Sequence, residues 1–144
     1  MSSAPEPRHL VIGIGNAARG DDAAGLIVAR RLGGLEHEGD PVALLDIWRG
    51  ADVAVVIDAV SSGATPGTIH HFDVTAAPLP AQLRGSSSTH ALGLAEAIEL
   101  GRTLGRLPTR LLVYGIEGER FEAGTELTPA VAAAVDAVTL EAVP

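Results

Sequence analysis

The sequence contains no cysteine and no lysine. The first absence excludes disulfides, thiolate metal sites and a cysteine nucleophile, so any metal must be held by Asp, Glu or His. The ten basic residues are all arginine, and with eighteen Asp and Glu they leave a net charge of −8. Because phosphate binding requires clustered Lys or Arg, nucleic acid and anionic membrane surfaces are not expected as partners.

Aromatic residues and long apolar runs are also scarce. The aromatic side chains are Trp48, Phe72, Tyr114 and Phe121, so the core must be aliphatic, as is typical of a helix-covered sheet. No apolar run reaches the roughly 18 residues of a membrane span, and the N-terminal segment lacks the apolar centre of a signal peptide. We therefore expect a cytoplasmic protein that does not associate with membranes.

The chain of 144 residues has the length of one ordinary domain. Its polar, proline-containing residues 1–8 are expected to form a disordered N-terminal tail, and residues 9–144 a single domain. We find no internal repeat and no linker that would divide this domain. With no long apolar surface stripe in so short a chain, a monomer is the expected state.

Apolar runs, caps and breakers predict the element order β-α-β-α-β-β-α-β-α. The predicted strands are 9–15, 35–39, 51–60, 68–74 and 110–118, and the predicted helices are 22–32, 40–49, 90–105 and 128–143. This order describes an α/β three-layer sandwich, a mixed, mostly parallel five-stranded sheet flanked by helices.

Three details of this prediction bear on topology. Asp21 is a candidate N-cap of the first helix, and Ser88 or Thr89 of the third. The residues 35–39 form a short second strand that only just reaches back along the first helix. The strands at 51–60 and 68–74 are separated by too few residues for a crossover helix, which favours an antiparallel orientation.

Three ionisable residues fall at the carboxyl ends of the predicted strands, where α/β sheets bind ligands. Asp22 follows the first strand, although a carboxylate in a first helical turn also suits the helix dipole. Asp58 lies inside an apolar strand, where a charge is costly to bury unless it is compensated; the alternative is that it caps amides of the next loop. His90 begins a helix, which keeps its ring neutral. Together they make an O,O,N set suited to Ni, Zn, Mn or Fe.

The glycine-rich stretch "GIGNAARGDDAAG" at 13–25 has a second interpretation. Gly13, Gly15 and Ala18 fit the dinucleotide-binding pattern G-x-G-x-x-G/A between a strand and a helix. The two aspartates at 21 and 22 oppose this interpretation, because they add negative charge where a pyrophosphate would lie. A nucleotide-binding module that uses Gly13, Gly15 and Gly20 nevertheless stays open as an alternative.

Other candidates for chemistry are weaker. His70 and His71 lie in one predicted strand with side chains on opposite faces, so they cannot chelate one ion together. Glu96 and Glu99 are expected on the exposed side of an amphipathic helix. A serine hydrolase is disfavoured, since the sequence has no G-x-S-x-G motif.

Four segments, in order, resemble the successive motifs of the nickel-dependent hydrogenase maturation proteases. They are "GIGNAARGDDAAG", "VVIDAVSSGATPGTI", "STHALGLAEAIEL" and "LLVYGIEGERFEAGTELTPAVAAAVDAV". The resemblance covers the chain from about residue 10 to residue 138. It implies a mixed five-stranded sheet. It also implies that residues 9–144 form a single hydrogenase-maturation-protease-like domain.

The resemblance also implies a function. Members of this family remove a C-terminal peptide from the nickel-loaded precursor of the NiFe-hydrogenase large subunit. The metal-contacting, catalytic positions of the family fall on Asp22, Asp58 and His90. The resemblance implies that nickel is carried by the substrate, that Zn or Cd can substitute in the isolated protein, and that the large-subunit precursor is the partner. A scaffold that binds this precursor without cleaving it is a further alternative.

Overall fold

The computed structural model describes residues 8–80 and 89–142. Within them the chain forms a five-stranded sheet and four α-helices in the predicted order. The strands are β1 (His9–Ile14), β2 (Leu35–His37), β3 (Val53–Val60), β4 (Ile69–Asp73) and β5 (Arg110–Glu117); the helices are α1 (Ala24–Arg31), α2 (Pro41–Trp48), α3 (Thr89–Leu104) and α4 (Pro129–Glu141).

The sheet is mixed and mostly parallel, as predicted, with the strand order β2-β1-β3-β5-β4. β4 is the antiparallel strand. It pairs with β5 and not with β3, the strand that precedes it in the chain. The physical reason is that β5 occupies the edge of β3 along its whole length, from Val53 paired with Arg110 to Val60 paired with Glu117.

The helices cover both faces of the sheet, which gives the three layers of the predicted sandwich. On one face α1 and α4 pack with Val55 and Ile57 of β3. On the other face α2 and α3 pack with Ala54 and Val56 of the same strand. The alternation of side chains along β3 therefore supplies both cores, because successive residues of a strand point to opposite faces.

The first helix differs from its prediction. A 3-10 helix, Gly20–Ala23, precedes α1, and neither it nor α1 has a side-chain cap. The assignment of Asp21 as an N-cap is therefore wrong. Its main-chain N–H donates to Arg120 O at 2.8 Å, and its carboxylate turns toward the loop that follows β5, which offers it more donors.

The second helix begins as predicted. Asp40 accepts a hydrogen bond from Val42 N at 3.1 Å, and Pro41 occupies the first helical turn. β2 has only three residues and forms a short edge strand of the sheet. This agrees with the prediction of a short second strand that only just reaches back along the first helix.

Some predictions fall on residues outside the described ranges. Residues 1–7 and 81–88 lie outside these ranges. The disordered N-terminal tail and the capping role of Ser88 therefore stay predictions. Arg8 is described, and its main-chain N–H donates to Asp52 Oδ2 at 2.7 Å. In the described ranges, no helix is both long enough and apolar enough to cross a membrane.

Candidate functional site

The strand order places a switch of direction at the carboxyl ends of β1 and β3, an edge of the sheet that we call the crevice. From β1 the chain crosses to β2 on one side, whereas β3 lies on the other side of β1. In open α/β sheets, ligands bind at such a switch of direction. Asp58 is the third residue from the carboxyl end of β3, and it pairs with Gly115 of β5.

Close packing of α1 brings Asp22 to this crevice. A Cβ on Gly25 would lie less than 3.0 Å from the carbonyl oxygens of both Ile57 and Ile14. Only glycine therefore allows the first turn of α1 to lie on the ends of β1 and β3. The 3-10 helix that carries Asp22 contacts β3 directly. Asp22 and Asp58 consequently lie at the same edge of the sheet.

Both carboxylates are buried. Asp22 is 3% exposed and Asp58 is 1% exposed. An ionised carboxylate loses several kcal/mol of hydration free energy in such surroundings unless hydrogen bonds or a cation compensate it. Two of them at one edge of the sheet bring together carboxylate oxygens, which are ligands that divalent cations accept.

His90 occupies the first turn of α3, the position predicted for it. α3 packs on the face of the sheet to which Asp58 belongs, since Leu94 and Ile98 share a core with Val56. The side chain of His90 lies outside the described residues, and the described ones contain no group of three His, Asp or Glu arranged to hold a metal. The ligand role of His90 therefore stays a prediction.

Asp21, adjacent to Asp22, has a structural role that the sequence did not reveal. It is fully buried, and its carboxylate accepts hydrogen bonds from the main-chain N–H groups of Glu119, Arg120 and Thr128 at 2.8, 3.0 and 2.8 Å. Thr128 Oγ1 adds a fourth donor at 2.9 Å. Asp21 thus ties the glycine-rich stretch to residues 118–128, a segment we call the β5–α4 loop.

The glycines of that stretch are explained by contacts within the chain. A Cβ on Gly13 would collide with Gly25 O, and one on Gly15 with Asp22 O. Gly20 has a φ of +56°, and a Cβ there would meet the side chain of Thr125. Since protein atoms occupy all three positions, the glycines serve tight packing around Asp22, which favours the metal interpretation over a phosphate cradle.

A second buried carboxylate cluster, absent from the sequence-based candidates, lies at the end of β5. Glu117 is 2% exposed and accepts hydrogen bonds from Ser62 N at 2.8 Å and Ser62 Oγ at 2.5 Å. His70 Nε2 lies 3.2 Å from Glu117 Oε1. The available signal was an acid that ends an apolar strand, the same pattern that marked Asp58.

This cluster is not a Ser-His-acid triad. Ser62 Oγ and His70 Nε2 both contact Oε1 of Glu117, so the carboxylate lies between the hydroxyl and the imidazole. A nucleophilic serine needs the imidazole as its own hydrogen-bond partner. The geometry of this cluster therefore agrees with the sequence, which disfavours a serine hydrolase.

Two minor predictions are confirmed. His71 stacks on Tyr114 with ring centroids 4.1 Å apart, on the face opposite to His70. Glu96 and Glu99 are exposed on α3.

The same arrangement of strands and helices occurs in a solved structure, the hydrogenase maturating endopeptidase HybD from Escherichia coli. The two superpose with a TM-score of 0.79 at 27% sequence identity, over 94% of this chain and 89% of the other. The class of protein defined by the fold is therefore that of the hydrogenase-maturating endopeptidases.

Sequence comparisons agree. Residues 39–144 match the family model HycI, hydrogenase maturation protease. The Hydrogenase 2 maturation protease of Escherichia coli K12 is 30% identical over 140 residues, which cover 90% of this chain and 84% of that protein. The hydrogenase expression/formation protein HupD of Thiocapsa roseopersicina is 31% identical over 124 residues, which cover 78% of this chain but only 55% of HupD. The chain belongs to the hydrogenase maturation protease family, a family of peptide hydrolases.

Proposed function

We propose that this protein is the endopeptidase that removes a C-terminal peptide from the nickel-loaded precursor of a NiFe-hydrogenase large subunit. The observation that carries the proposal is the burial of Asp22 and Asp58 at one crevice of a fold that this family shares. Carboxylate oxygens are ligands that divalent cations accept, so two of them at one edge of the sheet suit a cation that arrives with the substrate.

Nickel is part of the substrate in this proposal. The precursor holds it, and Asp22, Asp58 and His90 recognise it from the protein side through two carboxylates and one imidazole. Such a cation can polarise a peptide carbonyl or lower the pKa of a bound water. The chain itself contributes the orientation of these groups. The anchored Asp21 holds the main chain next to Asp22, and pairing with Gly115 of β5 holds Asp58.

A cleavage assay with matched variants tests the proposal. Asp22→Asn and Asp58→Asn preserve the size of the side chain but remove its charge, while Asp46→Asn does the same at an exposed site of α2. We expect the first two variants to lose cleavage of the nickel-loaded precursor and the third to retain it. Precursor without nickel should stay uncut by all proteins. Normal processing by the Asp22 and Asp58 variants would refute the proposal.

The same assay separates the two alternatives. A scaffold would bind the precursor in a pull-down but cleave none of it, in any variant. A nucleotide-binding module would show saturable binding of a dinucleotide by calorimetry, insensitive to divalent metal. We further propose that the protein acts as a monomer in the cytoplasm, which sedimentation and cell fractionation can check.

A further inference from the structure

A shallow groove lies between the outer sides of α2 and α3. Its volume is about 520 Å³, and two residues of α2 and four of α3 line it: Pro41, Val42, Glu96, Glu99, Leu100 and Thr103. The four residues of α3 have the spacing i, i+3, i+4, i+7, so they form one face of that helix. Leu94 and Ile98, on the other side of α3, pack on the sheet. The groove is therefore a feature of the surface and not of the core.

Apolar side chains in and beside this groove are left to solvent. Val42 is 63% exposed and Leu100 is 39% exposed. Leu104, one turn after Leu100, continues the row and is 51% exposed. These are three of the five large apolar side chains that are exposed in the described ranges. Exposed apolar residues that cluster in one place mark an interaction site, whereas single scattered ones need no explanation.

The charge of the groove is negative. Glu96 and Glu99 are both exposed, and none of the six lining residues is basic. Arg102 Nε approaches Glu99 Oε2 only to 3.8 Å, and the same guanidinium donates to Val74 O at 2.7 Å. An apolar surface with two carboxylates at its side is complementary to a segment that carries apolar residues and Arg or Lys.

The same charge opposes a second copy of this chain as the occupant. A two-fold dimer through the groove would place the same surface on both sides of the interface. The carboxylates of Glu96 and Glu99 from both copies would then lie together, and each copy has a net charge of −8. Since like charges that face each other weaken association, a different and basic partner fits the groove.

The groove begins near the crevice. α2 and α3 run in the same direction, because Gly93 near the start of α3 lies against the start of α2. A Cβ on Gly93 would come within 2.3 Å of Gly39 O. At the other end of the two helices, Trp48 Nε1 donates to Arg106 O at 3.1 Å. Since α2 follows β2 and leads to the parallel strand β3, both helices begin at the edge of the sheet that holds Asp58.

We propose that the α2–α3 groove, our name for the surface formed by these six residues, is a docking surface for a segment of the precursor that carries apolar side chains and Arg or Lys. This inference rests on the proposed endopeptidase function and adds a contact outside the metal site. Glu96 comes six residues after His90, which corresponds to about 9 Å along the helix. The docked segment therefore holds the precursor near the crevice without touching the scissile bond.

Kinetics of Leu100→Ser on nickel-loaded precursor test the apolar part of this contact. A contact away from the reacting bond is equally strong in the ground state and the transition state, so its loss raises KM and leaves kcat unchanged. Since a partner can cover only the part of Leu100 that is still exposed, we expect KM to rise about fivefold. The matched control is Leu140→Ser on α4, the same substitution of an exposed leucine on the other face of the sheet, which should leave KM unchanged.

Glu96→Lys tests the electrostatic part. We expect it to raise KM about fivefold at low salt, because it replaces an attraction by a repulsion. Added NaCl should raise the KM of the wild type, since salt screens exposed charges, and it should change the KM of Glu96→Lys less. Glu141→Lys on α4 changes the net charge equally and should keep the KM and the salt response of the wild type. An unaltered KM in either Leu100→Ser or Glu96→Lys would overturn the inference.

Two measurements separate docking from folding and from self-association. All four substituted residues are exposed, so urea unfolding and Ni²⁺ affinity of the variants should match those of the wild type. Sedimentation should show monomers for the wild type and for Leu100→Ser. A wild-type dimer that Leu100→Ser abolishes would make the groove an interface between copies of this chain and would overturn the proposed occupant.

Calorimetric titration with nickel-loaded precursor distinguishes failure of this inference from failure of the proposed function. If the wild type binds the precursor without cleaving it, the endopeptidase proposal fails, while a weaker Kd for both groove variants still supports docking. If the wild type cleaves the precursor and both groove variants bind it with the wild-type Kd, only the docking surface is overturned. If the wild type neither binds nor cleaves, both are overturned.

Discussion

Asp21 accepts hydrogen bonds from both the main-chain N–H and the hydroxyl of Thr128, a residue 107 positions later in the chain. The contact joins the glycine-rich stretch after β1 to the β5–α4 loop. Further contacts support the same junction: Gly124 N donates to Ala18 O at 2.9 Å, and Arg19 Nε to Phe121 O at 3.3 Å. The segment that carries Asp22 is therefore held by several hydrogen bonds to this one loop.

Asp21→Asn should release the β5–α4 loop. The amide NH₂ would face main-chain donors in place of an acceptor, and an unsatisfied buried group costs about 1–3 kcal/mol. The chain has no lysine, so trypsin can cut only after arginine, and Arg120 lies in this loop. We expect cleavage after Arg120 to accelerate while the circular dichroism spectrum stays native. Asp46→Asn is the control, and unchanged cleavage after Arg120 would contradict the role of Asp21.

Thr128 allows a finer test of the same junction. Thr128→Val removes the hydroxyl donor to Asp21 but keeps the shape of the side chain and the main-chain donor. Thr128→Ser keeps the hydroxyl. Urea unfolding should show a loss of about 1 kcal/mol or more for valine and a smaller loss for serine. Equal stability of the two variants would mean that the hydroxyl contributes nothing.

Gly25→Ala should force α1 away from the sheet. Its Cβ would come closer than 3.0 Å to the carbonyl oxygens of Ile57 and Ile14, which are main-chain atoms and cannot rotate away. Overpacking of this kind costs roughly 1–3 kcal/mol, and we expect the upper end of that range. The comparison is Gly33→Ala, where the space is open and only the φ of +71° opposes a side chain. Thermal unfolding of both variants measures the difference, and a milder effect at Gly25 would contradict the packing argument.

Metal titration of the apo-protein tests the shared site directly. We expect Ni²⁺, Zn²⁺ and Cd²⁺ to bind with one-to-one stoichiometry in calorimetry. Asp22→Ala, Asp58→Ala and His90→Ala should each abolish this binding, because every variant removes one ligand. Full affinity in the His90 variant would exclude that residue from the site and leave the two carboxylates as its core.

Asp73 should make stability depend on acid pH in a defined direction. The hydrogen bond from the Thr75 hydroxyl lowers the pKa of Asp73 below 3.8, with a smaller contribution from Arg110. Because the folded pKa lies below the unfolded one, this stabilisation is complete above pH 3.8 and is lost as the pH falls through the folded pKa.

The stability difference between the wild type and Thr75→Val should therefore narrow between about pH 5 and about pH 2. Thr103→Val is the control, because Thr103 Oγ1 donates to a main-chain oxygen that does not titrate. Its stability difference should be the same at both ends of this range. If the stability difference between the wild type and Thr75→Val is the same across this pH range, the Thr75 hydroxyl does not lower the pKa of Asp73.

The sequence alone determined the order of the elements and suggested the candidate residues at their ends. Apolar runs and breakers located β1, β3 and β5, because burial on both faces of a parallel sheet leaves a local pattern. The acid inside the run of β3 marked Asp58 as a functional candidate, because its burial is costly wherever the strand lies in the fold. Asp22 followed from its place directly after β1. These inferences need only neighbours within a few residues.

The tertiary structure decided what depends on residues far apart in the chain. β4 lies beside β5 because β5 occupies the edge of β3, and no local pattern records which strand takes an edge. Asp21 looked like a helix cap because its true partners come 98 to 107 positions later. The contact of Glu117 with Ser62 and His70 likewise required strand order and register. Hydrogen bonds between distant segments depend on how the chain packs, and local periodicity does not encode that packing.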